Sequence, residues 1–190
     1  MIDGERVRLR DFRAKDLGPY ERWMQPGARW QEFDAPYFGA PDPTWVRDHV
    51  EGLQERIESG AWEDPRRRVV LARRGDDELI GTLARYWICE ATEWPGVGID
   101  IYDPDAWGRG YGSEALTLWC DYLFAQGYHR LDMRTWSGNE RMMRLAEKLG
   151  FRLEARFREA RPVDGKRYDG LAYGLLRAEW CGIDSAPPRP

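Results

Sequence analysis

The sequence is poor in three residue types. Of its 190 residues only three are lysine, two are histidine and three are cysteine. Two histidines, His49 and His129, cannot build a histidine-rich metal centre, and no metal is expected. Cys89, Cys120 and Cys181 are odd in number, widely spaced and without a Cys-x-x-Cys pair. That excludes a disulfide scaffold or a zinc ribbon and points to a reducing compartment. No run approaches the ~18 consecutive apolar residues of a membrane helix. Met1 to Arg6 is charged and has no apolar signal core, so the expected location is cytoplasmic, without a membrane partner. A basic stripe is also missing: 29 lysines and arginines face 33 acids, a net charge of -4, which argues against a nucleic-acid partner. The one dense cationic cluster, Arg66-Arg67-Arg68, reads as a solvated loop ahead of a strand.

What is abundant is tryptophan. There are ten, within 13 % aromatic and 42 % apolar residues, and such a chain is not disordered. Its length suits one domain, expected over 1–184, with a loose proline-rich tail at 185–190. Arg6 to Arg10 alternates as a half-buried strand. Asp16 is placed to cap a short helix carrying Tyr20, Trp23 and Met24, and Asp42-Pro43 starts a second helix running to about Ser59. Strands follow at 69–73, 78–88 and 97–102. Leu116, Trp119, Cys120, Leu123 and Phe124 keep helical spacing within 112–126. A strand at 130–135, a helix at 139–149 stopped by Gly150, and two strands joined at Asp164-Gly165 complete the chain. The order β-α-α-β-β-β-α-β-α-β-β predicts an α/β fold, one mixed α+β sheet with helices on both faces.

Chemistry concentrates where a strand ends and the long helix begins, at Trp107-Gly108-Arg109-Gly110-Tyr111-Gly112-Ser113. Alternating glycines let the backbone turn with its N–H groups inward, and a helix N-terminus adds unpaired donors and partial positive charge. Together they suit a phosphate or pyrophosphate. The same pattern also serves as a plain strand-to-helix turn. A Walker loop is excluded because no lysine stands in place. A dinucleotide fingerprint needs its third glycine where Ser113 stands, although Asp132 keeps the spacing that ribose recognition asks for.

This loop resembles the pyrophosphate loop of the GNAT superfamily of N-acetyltransferases, with Trp107 where the family usually has Gln or Arg. Two further blocks carry the resemblance. Asn139-Glu140-Arg141-Met142 through Glu147-Lys148-Leu149-Gly150-Phe151, and Asp164-Gly165-Lys166 to Asp169 with Glu179-Trp180, are similar to the branch of ribosomal-protein N-terminal acetyltransferases. The resemblance spans about Arg6 to Trp180. It implies acetyl-CoA as cosubstrate, direct transfer to a primary amine on a small molecule or a peptide, and a homodimer as in many relatives. It implies that the loop Trp107 to Ser113 binds the cofactor, with backbone N–H groups from Arg109 to Ser113 holding the pyrophosphate. It further implies that the strand Ile99 to Tyr102 splays from the next strand to receive the pantetheine, with Ile101 and Tyr102 at the cofactor, and that Asn139 contacts that arm or nearby backbone. Asn139 is equally a helix N-cap. A non-enzymatic CoA-binding or regulatory module is the alternative.

Many relatives place a tyrosine acid where this chain has Ala146, so no acid stands there. The reaction needs a base more. Deprotonating an alkyl amine at pH 7 costs roughly 4.6 kcal/mol, whereas releasing a thiolate costs roughly 2 kcal/mol. Asp100, alone among apolar neighbours in Ile99-Asp100-Ile101, is the first candidate, since burial raises a carboxyl toward a useful range. Glu32 and Asp34 are the others, in the aromatic loop that lines the acceptor groove of relatives. Trp30, Phe33 and Tyr37 around them are the expected amine-receiving wall, because aromatic faces and carboxylates both attract cations.

Overall fold

The computed structural model describes residues 2–182. The tail expected over 185–190 lies outside them. The elements run β1 (Ile2–Asp3), β2 (Val7–Arg10), α1 (Ala14–Met24), α2 (Pro43–Ser59), β3 (Arg68–Arg73), β4 (Glu78–Cys89), β5 (Trp94–Ile101), α3 (Tyr111–Ala125), β6 (Arg130–Trp136), α4 (Glu140–Lys148), β7 (Arg152–Val163) and β8 (Lys166–Leu176). Short 3-10 turns at Arg29–Glu32 and Pro36–Phe38 shape the loop between α1 and α2. The expected order stands, with β1 added at one edge.

All strands form one sheet in the order β1-β2-β3-β4-β5-β6-β8-β7. Every neighbouring pair is antiparallel except β5 with β6. Alternation along the strands sends successive side chains to opposite faces. On β3, Val69 and Leu71 join the core under α3 and α4, while Val70 and Ala72 join the core under α1 and α2. The sheet is therefore covered on both faces. None of the helices of the described residues is long and apolar enough to cross a membrane.

Local chemistry explains the helix ends. Asp42 accepts hydrogen bonds from the N–H groups of Thr44 and Trp45 ahead of Pro43, as expected for an N-cap. Asp16 does something else. The cap of α1 is Arg13, and Asp16 sits in the first turn, accepting the Arg13 N–H at 2.8 Å. It is buried there because Arg10, only 1 % exposed, pairs with it at 2.6 Å. The β7–β8 turn carries positive φ at both Asp164 (47°) and Gly165 (74°), the geometry a two-residue hairpin demands.

Candidate active site

The one parallel pair barely pairs. β5 and β6 share a single registered partnership, Gly96 with Asp132, and separate beyond it. The side of β5 facing this gap follows from its neighbours. The Tyr102 N–H donates to Ile80 O at 2.9 Å, toward β4. Backbone groups alternate along a strand, so those of Ile99 and Ile101 face the gap instead. The Ile101 carbonyl accepts the Trp107 indole N–H at 2.9 Å, which anchors the glycine loop to the gap.

The loop then turns through Gly108 (φ +73°) and Gly110 (φ +85°), left-handed positions that disfavour any side chain. A Cβ at Gly110 would also stand 2.8 Å from Arg6 Nη1, which donates to the Arg109 carbonyl at 3.0 Å. Glu114, in the first turn of α3, accepts from the Arg6 N–H at 2.9 Å and clamps the helix start to β2. The N–H groups of Tyr111, Gly112 and Ser113 precede the first intrahelical donor, Glu114 N–H, which bonds to Gly110 O at 3.2 Å, so the helix cannot use them. A Cβ at Gly112 would press on the Ile101 side chain at 3.2 Å. Glycine thus keeps the passage from helix start to gap open. A backbone cradle, a free strand edge and the opening between them fit a pyrophosphate continued by an extended amide-bearing arm.

Through the gap lies a cleft of about 360 Å³. It holds two carboxylates, Asp34 and Asp100. Asp100 is pushed up to about 8, first by desolvation and then by the nearby negative charge of Asp34, with Arg68 opposing. Asp34 opens its carboxylate to the cleft, and the walls still desolvate it enough to raise its pKa. One group near 8 beside an amine is a base matched to neutral and mildly alkaline pH.

Trp30, Phe33 and Tyr37 all line the cleft, in different settings. Trp30 lines the cleft but is mostly buried, its indole N–H donating to Trp23 O and its ring edge-on to Tyr102. The Phe33 carbonyl accepts from Trp136 Nε1 at 2.9 Å and from Asn139 Nδ2 at 3.1 Å, and its ring lies under Arg141. Tyr37 lies under Arg161, with the cation 4.4 Å from its centroid. Asn139 both caps α4, accepting from Met142 N–H, and tethers the loop.

Three residues lie elsewhere than expected. Glu32 faces outward on its 3-10 turn and does not line the cleft. Tyr102 sits behind it, 1 % exposed, its hydroxyl 2.7 Å from Thr82 Oγ1 and its N–H spent on β4, so the backbone that faces the gap is that of Ile99 and Ile101, not Tyr102. Arg68 is not a solvated loop residue: it begins β3 and lines the cleft. Only Arg67 of the triplet is exposed, while Arg66 pairs with Asp11 at 2.8 Å. Arg134 and Trp136 also line the cleft without having been singled out. The only signal for them was strand alternation in 130–135, which puts 132, 134 and 136 on one face. Among the described residues no group of three His, Cys, Asp or Glu side chains is placed to hold a metal ion.

The family model described as "Acetyltransferase (GNAT) domain" matches residues 6–152. An uncharacterized prophage-derived N-acetyltransferase of Bacillus subtilis (strain 168), YokL, is 22 % identical over 93 % of each chain. A Vibrio cholerae spermidine N-acetyltransferase, solved with CoA and spermine, superposes with a TM-score of 0.72 at 19 % identity over 93 % of this chain and 98 % of that one. RimL, a ribosomal-protein alpha-N-acetyltransferase solved with CoA, superposes with a TM-score of 0.70 at 17 % identity, covering 91 % of this chain and 95 % of that one. At such identities the two structures establish a shared fold. With the family model spanning most of the sequence, the chain belongs to the GNAT acetyltransferases and is an acyltransferase.

Proposed function

We propose that the protein transfers an acetyl group from acetyl-CoA directly to a primary amine, with Asp100 as the general base. The observation that carries this reading is a single cleft joining the free edge of β5, the open start of α3 and the raised Asp100 carboxyl. CoA complexes of the two superposed acetyltransferases support the choice of donor.

The backbone N–H groups from Gly108 to Ser113 hold the pyrophosphate, and Ile99 and Ile101 offer gap-facing amide groups to the extended arm. One of these N–H groups polarises the thioester carbonyl as it becomes an oxyanion. Asp100 and Asp34 receive the amine. The amine nitrogen bonds to the carbonyl carbon, its proton passes to the Asp100 carboxylate, and the C–S bond breaks. A base near 8 is weaker than a free alkyl amine near 10.4, so the proton moves only as attack acidifies the nitrogen. Thiolate leaves and takes its proton from water, since Ala146 occupies the place where relatives carry a tyrosine.

The test is mass balance. Incubation with acetyl-CoA and a panel of primary amines should release one thiol per acetylated amine, with no acetyl on the protein when acceptor is omitted. An acetylated protein formed in the absence of amine overturns direct transfer.

A further inference from the structure

The acceptor side of the cleft is not simply acidic. Strand register places Arg68 beside Ala84 and Ala84 beside Gly98. Two residues past the Gly96–Asp132 partnership, where β5 and β6 have separated, Gly98 and Arg134 stand on the two sides of the gap and on the same face. One row of the sheet therefore reads arginine, alanine, glycine, arginine. An added Cβ at Gly98 would meet nothing within 4 Å, so the middle of the row is an open floor. Three strand spacings separate the outer Cα positions by at least about 14 Å, a span over which two arginine side chains can close on a small ligand.

Neither cation is locked in an ion pair among the described residues, although Arg68 feels the charge of Asp100 and Asp34. Arg68 spends one N–H on Thr82 Oγ1 at 3.1 Å and forms no ion pair among the described residues. Arg134 lines the cleft with neither an ion pair nor a hydrogen bond to a described residue. Most other arginines near the site are spoken for: Arg66 pairs with Asp11, Arg141 stacks on Phe33 and Trp107, and Arg161 stacks on Tyr37. Neither Arg68 nor Arg134 belongs to the pyrophosphate cradle. Gly112 packs on Ile99 and Ile101 on the α3 side of the sheet, whereas Arg68 and Arg134 share the opposite face with Asp100. Asp100 stands two residues along β5 from Gly98, about 6.6 Å away. The cleft thus sets two carboxylates close to two guanidinium groups, with Arg68 near enough to Asp100 and Asp34 to hold both carboxyls down against the rise that burial causes.

Resting on the acetyl-transfer reading, we propose that the acceptor is a small primary amine carrying its own carboxylate, as an amino acid does, with Arg68 and Arg134 gripping the carboxylate while Asp34 and Asp100 receive the amine. The planar guanidinium matches a carboxylate in two parallel hydrogen bonds. A polyamine meets two cations in the same place, Arg134 without any ion-pair partner among the described residues, and is disfavoured.

The test pairs each primary-amine amino acid with its C-terminal amide and adds spermidine, all assayed by thiol release and compared at equal unprotonated amine. At least one amino acid should exceed its amide in kcat/KM by about tenfold or more, the scale of a charge-assisted hydrogen bond, and spermidine should fall below it. Arg134→Glu should erase or reverse that preference. Arg68→Met should shrink it, and because Arg134 is surface-accessible its variant keeps the test valid if the Arg68 variant does not fold. Turnover of amides or spermidine equal to or above every amino acid overturns the carboxylate grip while leaving amine acetylation standing. No turnover of any amine overturns the acetyl-transfer reading itself.

Discussion

The two faces of the cleft are built in different materials. On the α3 side the working groups are backbone: N–H donors at 111–113, the free edge of β5, and glycines whose value is the absence of a side chain. On the α1 and α2 side they are side chains from separate segments. Asp34 comes from a loop, Arg68 from β3, Asp100 from β5, and Arg134 with Trp136 from β6. Backbone chemistry is the same for any acceptor, which suits a common donor. Side-chain chemistry can change without disturbing the turn, which suits a particular acceptor. The contrast predicts that variants on the first face change donor affinity, while variants on the second change turnover and acceptor choice.

The largest effect should come from closing the backbone face. Gly112→Leu drives a side chain into the passage beside Ile101 and should reduce acetyl-CoA binding below detection by calorimetry while circular dichroism stays native. Normal affinity would break the assignment of the cradle.

Next is Asp100→Asn, which should lower kcat by about 10²–10⁴-fold, the usual worth of a positioned base, with acetyl-CoA affinity unchanged. It carries a stability signature of opposite sign. The folded-state pKa of Asp100 is raised above its unfolded value to about 8. Its contribution to stability is therefore present below about 4 and lost as pH rises through about 8. The variant should match the parent in Tm near pH 4 and exceed it by a few degrees at pH 9. Scanning calorimetry at both pH values checks this, and a variant less stable at pH 9 contradicts it.

Asn139→Ala is smaller. It removes the cap of α4 and the tether to the Phe33 carbonyl, and should cost about 1–2 kcal/mol in chemical denaturation. Because the tether positions the acceptor loop, KM for the amine should rise more than KM for acetyl-CoA. Smaller still is Trp107→Phe, which keeps an aromatic ring under Arg141 but loses the indole bond to Ile101 O, and should raise KM for acetyl-CoA about fivefold, the worth of one ordinary hydrogen bond. An effect confined to the amine would blur the division between faces.

The same contrast explains what the sequence made legible. Gly108 and Gly110 need left-handed φ, and a backbone requirement leaves a mark on residue type that can be read locally. Asp100 was legible too, because a lone acid between Ile99 and Ile101 has no ordinary reason to be there. Glu32 and Asp34 were indistinguishable, since a 3-10 turn ending at Glu32 and the left-handed Ala35 (φ 46°) that starts the next one decide which of them lines the cleft. Arg68 was hidden by its neighbours. In a run of three arginines nothing local shows that β3 begins at the third and turns it into the cleft. Arg134 and Trp136 acquire meaning only when β6 lies beside β5, a pairing of Gly96 with Asp132 across the whole of α3. The Asp16 cap was misplaced for a similar reason, because its burial depends on Arg10 from the preceding strand.

The claim at the centre of this account is that Asp100 takes the amine proton inside the shared cleft. Single-turnover acetyl transfer measured across pH 6 to 10, in the parent and in Asp100→Asn, tests it most directly. The parent rate should rise with pH and level off above a midpoint near 8. The variant should be slow and lack that inflection. The same midpoint in both proteins would contradict the assignment of Asp100 as the base.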